Sequence, residues 1–288
     1  MITRKIQWLS SLDEKNYEPL LDLQRRMQQY YSNNTNYYSD ISFTENIWSD
    51  SSALIQQDII HECQNKINIL EIGCGQAFIL KTGKIKQGSY TGIDYSSNLI
   101  ENNKQVYSES KFLTIEKPNQ FPFPDESFDL VFSHFVIEHT VYPNIFINEC
   151  SRVLKTNGTL IIVAPNFLGR KGITSQKSGF SKGTGREKFK DAKYLDMIVT
   201  AYDNKIRIPA TTLFYRYLAS KKPQFFININ PTCFIYKFSP DLDAVYLTYE
   251  KEIRAYLNNK YHWLELKNEL NRLVSKHNLI YVKGLKLS

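Results

Sequence analysis

Short runs of β-branched and other apolar residues alternate with helical segments through the middle of the chain. The strand-like runs are residues 67–72, 90–93, 112–115, 128–133 and 159–164. Each gap between successive runs leaves room for a helix that crosses over a sheet. The pattern therefore predicts an α/β fold with a doubly wound, parallel sheet and right-handed crossovers. Two later runs, near 261–266 and 279–287, complete a mostly parallel, seven-stranded, Rossmann-like sheet.

Two segments lie outside this alternation. Residues 14–31 and 52–64 carry helical spacing of apolar positions, so residues 1–62 are predicted to form an N-terminal helical cap. Residues 166–240 are longer than a plain strand-to-helix connection and predict an insertion after the fifth strand that partly folds into helices. The Rossmann-like core is then expected over 63–165 and 241–288, and the insertion is expected to act as a lid over the acceptor site.

Composition and charge narrow the class of protein. The 288 residues are 42% hydrophobic and 23% charged, as in ordinary globular proteins. No apolar run approaches the roughly 18 residues that span a bilayer, and no signal-peptide stretch follows Met1, so we expect a cytoplasmic protein. Four widely spaced cysteines predict reduced thiols and no metal site. The net charge is +7, and residues 168–195 alone contribute +6 of it.

The loop after the first core strand carries the first chemical signal. It reads Glu71-Ile72-Gly73-Cys74-Gly75, and the two glycines allow a tight turn and a close approach to a ligand. A helix that starts near Gln76 is expected to direct its free N–H groups at that ligand. Asp94 follows the second strand, 19 residues beyond Gly75, where a carboxylate can bind both hydroxyls of a ribose. Together these features predict a nucleoside ligand.

Two residues discriminate between nucleoside cofactors. Dinucleotide-binding enzymes need a third glycine where this chain has Phe78, whose bulk is expected to obstruct close helix packing. Glu71 is expected to suit the cationic amino acid end of a ligand and to repel a pyrophosphate. The loop therefore favours a sulfonium cofactor.

Residues 67–166 resemble the class I S-adenosylmethionine-dependent methyltransferases, particularly the small-molecule group that includes the ubiquinone-pathway O-methyltransferases. The matching segments are Leu70 to Gly75, Gly92 to Ser96, Phe121 to Asp129, Ile137 to His139 and Arg152 to Lys155. They occur in the order and spacing of that family.

The resemblance implies S-adenosylmethionine as cofactor and a role for each matching position. The glycine loop would line the methionine end, Asp94 would hold the ribose, Tyr95 would lie against the adenine, and Ser133 and His134 would border the methyl group. The implied cofactor-binding residues are Glu71, Gly73, Cys74, Gly75, Asp94, Tyr95, Glu116, Lys117, Ser133 and His134.

Two positions depart from the family pattern. Lys117 occupies the position of the usual adenine-contacting aspartate, Glu116 precedes it, and Pro118, which follows, has no N–H to donate. The usual Pro-Gly-Gly turn is Thr156-Asn157-Gly158 here, which we expect Asn157 to accommodate in a left-handed conformation. The adenine is therefore expected to have atypical contacts.

Methyl transfer from a sulfonium is an in-line displacement, so the enzyme mainly has to align the acceptor in a desolvated pocket. A base is needed only when the acceptor must lose a proton. His139 and His134 are the candidate catalytic residues, with Glu138 beside His139. The alternative is that Glu138 and His139 cap a helix or order the loop.

We expect the acceptor site to be built by the cap and the insertion. The candidate substrate-binding residues are Tyr30, Tyr31, Tyr37, Tyr38, Phe135 and Asn166. The tyrosines could form an aromatic wall that excludes water, or they could only pack the cap onto the sheet. The basic stretch 168–195 could attract an anionic acceptor, act as a lid, or be a solvated loop.

The leading hypothesis is a methyltransferase that acts on an oxygen of a small molecule or natural product. A nucleic-acid methyltransferase is the second hypothesis, favoured by a pI near 9.0. The fourth strand argues against this hypothesis. It ends in Ser133-His134-Phe135-Val136, whereas families that methylate exocyclic base nitrogens have an Asn/Asp-Pro-Pro-aromatic loop there. A non-catalytic module that binds S-adenosylmethionine is the third.

Overall fold

The computed structural model describes residues 6–12, 17–33, 49–115, 120–169, 185–234 and 243–288. The chain divides into two compact units. The sheet unit comprises Arg26–Ile137, Tyr142–Ala164 and Leu257–Ser288. The insertion unit comprises Met1–Arg25, Glu138–Val141 and Pro165–Tyr256. The boundaries predicted from the sequence at residues 62, 165 and 240 stay predictions.

Within the described ranges the strands are β1 (Ile6–Trp8), β2 (Ile69–Ile72), β3 (Tyr90–Asp94), β4 (Lys111–Thr114), β5 (Phe128–His134), β6 (Leu154–Pro165), β7 (Phe226–Asn228), β8 (Tyr261–Trp263) and β9 (Leu279–Lys286). The α-helices are α1 (Glu18–Asn33), α2 (Ser49–Cys63), α3 (Phe78–Lys81), α4 (Ser97–Val106), α5 (Pro143–Val153), α6 (Gly185–Lys190), α7 (Tyr194–Tyr202), α8 (Ile208–Lys221), α9 (Glu250–Tyr256) and α10 (Asn268–His277).

The central sheet has seven strands in the order β4-β3-β2-β5-β6-β9-β8. The pairs β3/β4, β2/β3, β2/β5 and β5/β6 are parallel, and β8/β9 is antiparallel. This confirms the predicted α/β class with a mostly parallel, seven-stranded sheet. The chain order reverses between β2 and β5, so the loops after these two strands meet at the carboxyl edge, where such sheets bind ligands.

Burial explains why these segments form central strands. Every residue of β2 and of β3 is buried, as expected for strands covered on both faces. Helix α2 places Ile55, Ile59 and Cys63 at four-residue spacing into the same apolar core. An ion-pair network fixes this packing, because Lys283 Nζ lies 3.1 Å from Asp58 Oδ2.

The insertion unit has its own small core. Strand β1 pairs antiparallel with β7, joining Ile6 to Asn228 in register. The ring of Tyr215 stacks on that of Phe226 at 4.1 Å between centroids, and both belong to the unit's apolar cluster. Helices α6, α7 and α8, with a π-helical segment at Asp203–Arg207, occupy much of the stretch predicted as an insertion.

Two local predictions are revised by the structure. Helix α3 begins at Phe78 rather than near Gln76, because Ala77 takes a left-handed conformation with φ 50°. The helix has only four residues. The fifth strand of the sheet begins at Leu154, five residues earlier than predicted. Asn157 adopts the expected left-handed conformation, with φ 61°, within that strand.

In the described part of the chain, no helix combines the length and apolarity needed to cross a bilayer.

Candidate cofactor-binding site

The glycine loop is tied by its backbone to the end of β3. The N–H groups of Gly73 and Cys74 both donate to the carbonyl of Ile93, at 2.8 and 3.0 Å. This arrangement holds the loop at the carboxyl edge of the sheet, immediately after β2. The position is the one that the sequence predicts for the ligand crevice.

Gly73 has a backbone conformation and a neighbour that exclude a side chain. Its φ is +68°, a region that L-residues rarely adopt. A Cβ placed there would lie 3.0 Å from Val136 Cγ1 and closer still to Cγ2. Gly75 also has a positive φ, +51°. Local geometry therefore excludes a side chain at Gly73 and favours glycine at Gly75, before any ligand is considered.

Asp94 organises the loop from the neighbouring strand. Its Oδ2 accepts the Gly75 N–H and its Oδ1 accepts the Ser96 N–H, both at 2.9 Å. Asn103 of α4 donates from Nδ2 to the Gly75 carbonyl at 2.7 Å. A carboxylate has about four lone-pair sites, so it can accept more than two hydrogen bonds. The glycine loop and Asp94 are therefore held in place by hydrogen bonds within the protein, and their binding of a nucleoside stays a prediction.

Glu71 lies in a different environment from the one expected from the sequence. Its carboxyl is buried and accepts the hydroxyl proton of Tyr90 at the start of β3. Burial raises the pKa of Glu71 to about 8. Without a ligand, burial therefore favours the protonated form of this carboxyl. The role of Glu71 at the cationic end of the cofactor stays a prediction.

Phe78 also differs from expectation. Its side chain is 40% exposed, and Lys81 Nζ lies 4.1 Å from the ring centroid. It does not obstruct helix packing, since α3 is a single turn.

Ser133 and His134 end β5 beside the loop. Ser133 pairs in register with Ile72, the residue that precedes Gly73. Ser133 Oγ and His134 Nε2 are shielded from solvent and find no hydrogen-bond partner within the residues that the structure describes. Burial lowers the pKa of His134 to about 4, so its imidazole is neutral. Unsatisfied buried polar atoms of this kind are typical of ligand-binding positions.

Phe135 follows in a left-handed conformation with φ 56°. Its N–H donates to the Val163 carbonyl at 2.9 Å, and its ring centroid lies 4.5 Å from that of His134. Strain in a bulky residue at the end of a core strand is common at functional sites. Phe135 thereby fixes the direction in which the chain leaves β5.

His139 and Glu138 belong to the insertion unit, where they meet Asp243. His139 Nδ1 lies 3.3 Å from the Asp243 carbonyl and 3.5 Å from its Oδ2, and Nε2 lies 3.7 Å from Glu138 Oε1. Both carboxylates are almost fully buried. Sequence reasoning missed Asp243, because it is 104 residues from His139 and no local pattern connects them.

The remaining predicted residues divide into described and undescribed ones. Tyr30 and Tyr31 pack edge to face at 5.2 Å between centroids in α1. The Tyr95 carbonyl accepts a 3.4 Å hydrogen bond from Ser32 Oγ, and the Asn166 carbonyl accepts the Gly169 N–H. Glu116, Lys117, Tyr37 and Tyr38 lie outside the described residues.

Among the described residues, no group of three or more His, Cys, Asp or Glu side chains is placed to hold a metal ion.

Sequence reasoning also missed three residues that shape the site: Asn103, Tyr90 and Val136. Each contacts the loop or its acid from an element elsewhere in the chain. The apolar character of Val136 and Tyr90 gave only a core signal. Their role depends on three-dimensional neighbours.

Known proteins are similar to the part of the chain that contains these residues. Residues 70–162 match the family model described as a methyltransferase domain. A Mycolicibacterium smegmatis protein named "Probable S-adenosylmethionine-dependent methyltransferase" is 29% identical over 124 residues, which cover 42% of this chain and 47% of the relative. Demethylmenaquinone methyltransferase of Listeria monocytogenes is 30% identical over 120 residues, covering 38% of this chain and 51% of the relative.

These matches span about half the length of the curated relatives. A solved S-adenosylmethionine-dependent methyltransferase from Mesorhizobium loti is 10% identical and has a TM-score of 0.49, covering 82% of this chain and 98% of that one. The matched residues contain the glycine loop, Asp94, Ser133 and His134. Residues 70–162 therefore form a class I S-adenosylmethionine-dependent methyltransferase domain, with S-adenosylmethionine as its cofactor.

Proposed function

We propose that the whole protein is a methyltransferase that transfers a methyl group to an oxygen, hydroxyl or carboxylate, of a small molecule. The observation that carries this proposal is the pair of shielded, unsatisfied atoms at the end of β5, Ser133 Oγ and His134 Nε2, among the described residues. They lie beside the strand that leads into the glycine loop. S-adenosylmethionine supplies an electrophilic methyl group on a sulfonium.

The residues of the sheet unit would bind and orient the reactants. Asp94 would accept the ribose hydroxyls, and the glycine loop would let the backbone approach the cofactor. Ser133 and His134 would orient the acceptor. The neutral imidazole of His134 offers a lone pair on Nε2 that can accept the proton of an acceptor hydroxyl. A carboxylate acceptor needs no such step.

His139 has a different proposed role. The carbonyl of Asp243 can only accept, so Nδ1 of His139 carries a proton. Nε2 faces the carboxylate of Glu138. His139 is held between the side chains of Asp243 and Glu138, so we propose that His139 and Glu138 order the segment after β5 rather than act as a base.

The acceptor class rests on two supports. The Listeria relative is named for demethylmenaquinone, a small-molecule acceptor. The end of β5 in this chain, Ser133-His134-Phe135-Val136, lacks the Asn/Asp-Pro-Pro-aromatic pattern of enzymes that methylate exocyclic base nitrogens. An anionic acceptor is part of the proposal, since the net charge of the chain is +7.

The test is transfer of a tritium-labelled methyl group from S-adenosylmethionine to a panel of phenols, carboxylic acids, amines and total RNA. We expect label in phenols or carboxylic acids. Label confined to RNA or amines would contradict the proposal, and so would no transfer to any class.

A variant assigns the role of His134. His134→Phe keeps a ring and removes the lone pair, so we expect transfer to a hydroxyl to fall at least roughly a hundredfold, and by a larger factor than cofactor affinity. His262→Phe is the matched control, because His262 is an exposed histidine of the same unit. Equal activity in the two variants would remove His134 from the mechanism.

A further inference from the structure

A continuous helical run in the insertion unit exposes an unusual amount of apolar surface. Helix α7, the π-helical segment Asp203–Arg207 and helix α8 follow one another without a break. Eight large apolar side chains on this run, Tyr194 and Val199 among them, are at least 52% exposed, and the other six define what we call the apolar face. They are Leu195, Ile198, Tyr202, Ile206, Leu213 and Tyr217.

The buried residues of α7 and of the π-helical segment are polar, whereas α8 buries Ile208, Tyr215 and Ala219 in the apolar core of the unit. Thr200 and Asp203 are buried, and Thr200 Oγ1 accepts a 2.6 Å hydrogen bond from the buried Lys188 Nζ. Asp203 Oδ1 pairs with Arg207 Nη2 at 2.9 Å. A helix on the surface of a globular protein normally places apolar residues inward and polar residues outward. Here α7 has the reverse arrangement.

The exposed apolar residues of α7 form one stripe rather than a scatter. Leu195, Ile198 and Tyr202 stand at i, i+3 and i+7, which places them on the same side of the helix. Thr200 lies on the opposite side. In α8, Leu213 and Tyr217 are four residues apart and point away from the buried Tyr215. A stripe of exposed apolar side chains on one side of a helix indicates an interaction surface.

The charge around the apolar face indicates the kind of partner. Residues 185–222 contain nine Lys or Arg against four Asp or Glu. Lys190, Lys205, Lys221 and Lys222 are exposed. A second copy of this chain would bring the same positive charge against itself. An anionic lipid surface offers both an apolar layer and complementary charge.

We propose that the apolar face docks on the surface of an anionic lipid membrane. The helical run lies in the plane of the interface, with Leu195, Ile198 and Tyr202 of α7 entering the boundary between headgroups and acyl chains. In the described part of the chain, no helix is long and apolar enough to cross the bilayer. The exposed lysines contact the lipid phosphates. Docking of this kind does not depend on methyl transfer.

The test is flotation of the full chain with lipid vesicles. Vesicles of phosphatidylcholine containing about 30 mol % phosphatidylglycerol should bind the protein, and pure phosphatidylcholine should bind it more weakly. About 0.5 M salt should release much of the bound protein, because added salt screens the lysine contacts.

Variants locate the contact. Leu195→Ser with Ile198→Ser should lower the vesicle partition coefficient roughly tenfold or more, since both side chains leave water on docking. The matched control is Ile67→Ser with Val106→Ser, two exposed apolar residues of the sheet unit. Lys190→Glu with Lys205→Glu should abolish the preference for anionic vesicles. The exposed Lys84 and Lys251, both changed to Glu, provide the charge control.

Three outcomes would overturn the proposal. They are the absence of binding to anionic vesicles at low salt, equal loss of binding in the control and test variants, and self-association. For the last, a molar mass that falls from dimer to monomer in the Leu195/Ile198 variant, without vesicle binding by the original chain, would assign the face to a second copy. Circular dichroism of each variant separates these results from unfolding.

Discussion

The carboxylate of Asp94 orders the glycine loop before any ligand binds. Each of its oxygens accepts a backbone N–H, one from Gly75 and one from Ser96. The same oxygens are the ones expected to meet the ribose. Binding therefore uses a group whose position is already fixed, which lowers the entropy cost of forming the complex.

Asp94→Asn should weaken binding of S-adenosylhomocysteine by roughly tenfold to a hundredfold, since an amide nitrogen cannot accept the hydrogen bonds that the carboxylate accepts. Isothermal titration calorimetry measures this change. Asp129→Asn is the control, because Asp129, near the start of β5, also accepts a backbone N–H, that of Asn68. Equal weakening in both variants would mean that the loss is structural.

Substitutions at two glycines separate backbone strain from a steric clash. Gly83 has φ +65° and no atom within 4 Å of the position that a Cβ would take, whereas Gly73 has φ +68° and Val136 in contact. Gly83→Ala should cost about 1 kcal/mol in the free energy of unfolding. Gly73→Ala should cost more and also reduce cofactor affinity. Denaturant unfolding and calorimetry of both variants measure these effects, and equal costs would show that Val136 imposes no constraint.

The buried Glu71 makes stability depend on pH. Its pKa is raised from 4.5 to about 8 in the folded chain. Between these values the unfolded chain has lost the proton and the folded chain keeps it, so the free energy of unfolding falls as pH rises from about 4.5 to 8. Glu71→Gln should remove on the order of a few kcal/mol of that dependence. Unfolding in urea at pH 5 and pH 8 measures this dependence. If the free energy of unfolding changed equally with pH in the original chain and in Glu71→Gln, the burial argument would be contradicted.

At the scale of elements, the buried strands were predictable because short, bounded runs of apolar residues are typical of buried strands. β2 and β3 lie where their sequences indicate, and the loop between β2 and α3 follows from its glycines. The start of α3 was not predictable, since the left-handed Ala77 depends on the turn around it. The reversed polarity of α7 was not predictable either, because apolar periodicity does not show which side faces the core.

The docking of α2 on the sheet depends on a lysine in β9. Lys283 Nζ contacts Asp58 Oδ2 at 3.1 Å and Glu62 Oε1 at 2.7 Å, and its side chain is 10% exposed. Lys283→Met should leave two carboxylates without their cation and destabilise the fold by about 2–3 kcal/mol. Lys104→Met is the control, since the Lys104–Glu101 pair lies on the surface. Chemical denaturation of both variants measures the difference; similar stabilities would show that the pair does not fix α2.

At the scale of the whole molecule, the chain combines a cofactor-binding sheet unit with an insertion unit that carries its own core. The sheet unit was predictable from the spacing of five sequence motifs, because these motifs serve the same ligand. The sequence of the insertion unit shows no such set of motifs. The contact of His139 with Asp243 arises only when segments 104 residues apart fold together.

The central claim is that the glycine loop and Asp94 hold S-adenosylmethionine. A crystal structure of the full chain with S-adenosylhomocysteine tests it most directly. We predict both ribose hydroxyls within hydrogen-bond distance of the Asp94 carboxylate, and the sulfur at the end of β5 near Ser133 and His134. A ligand bound elsewhere, or a ribose held by other residues, would contradict the account.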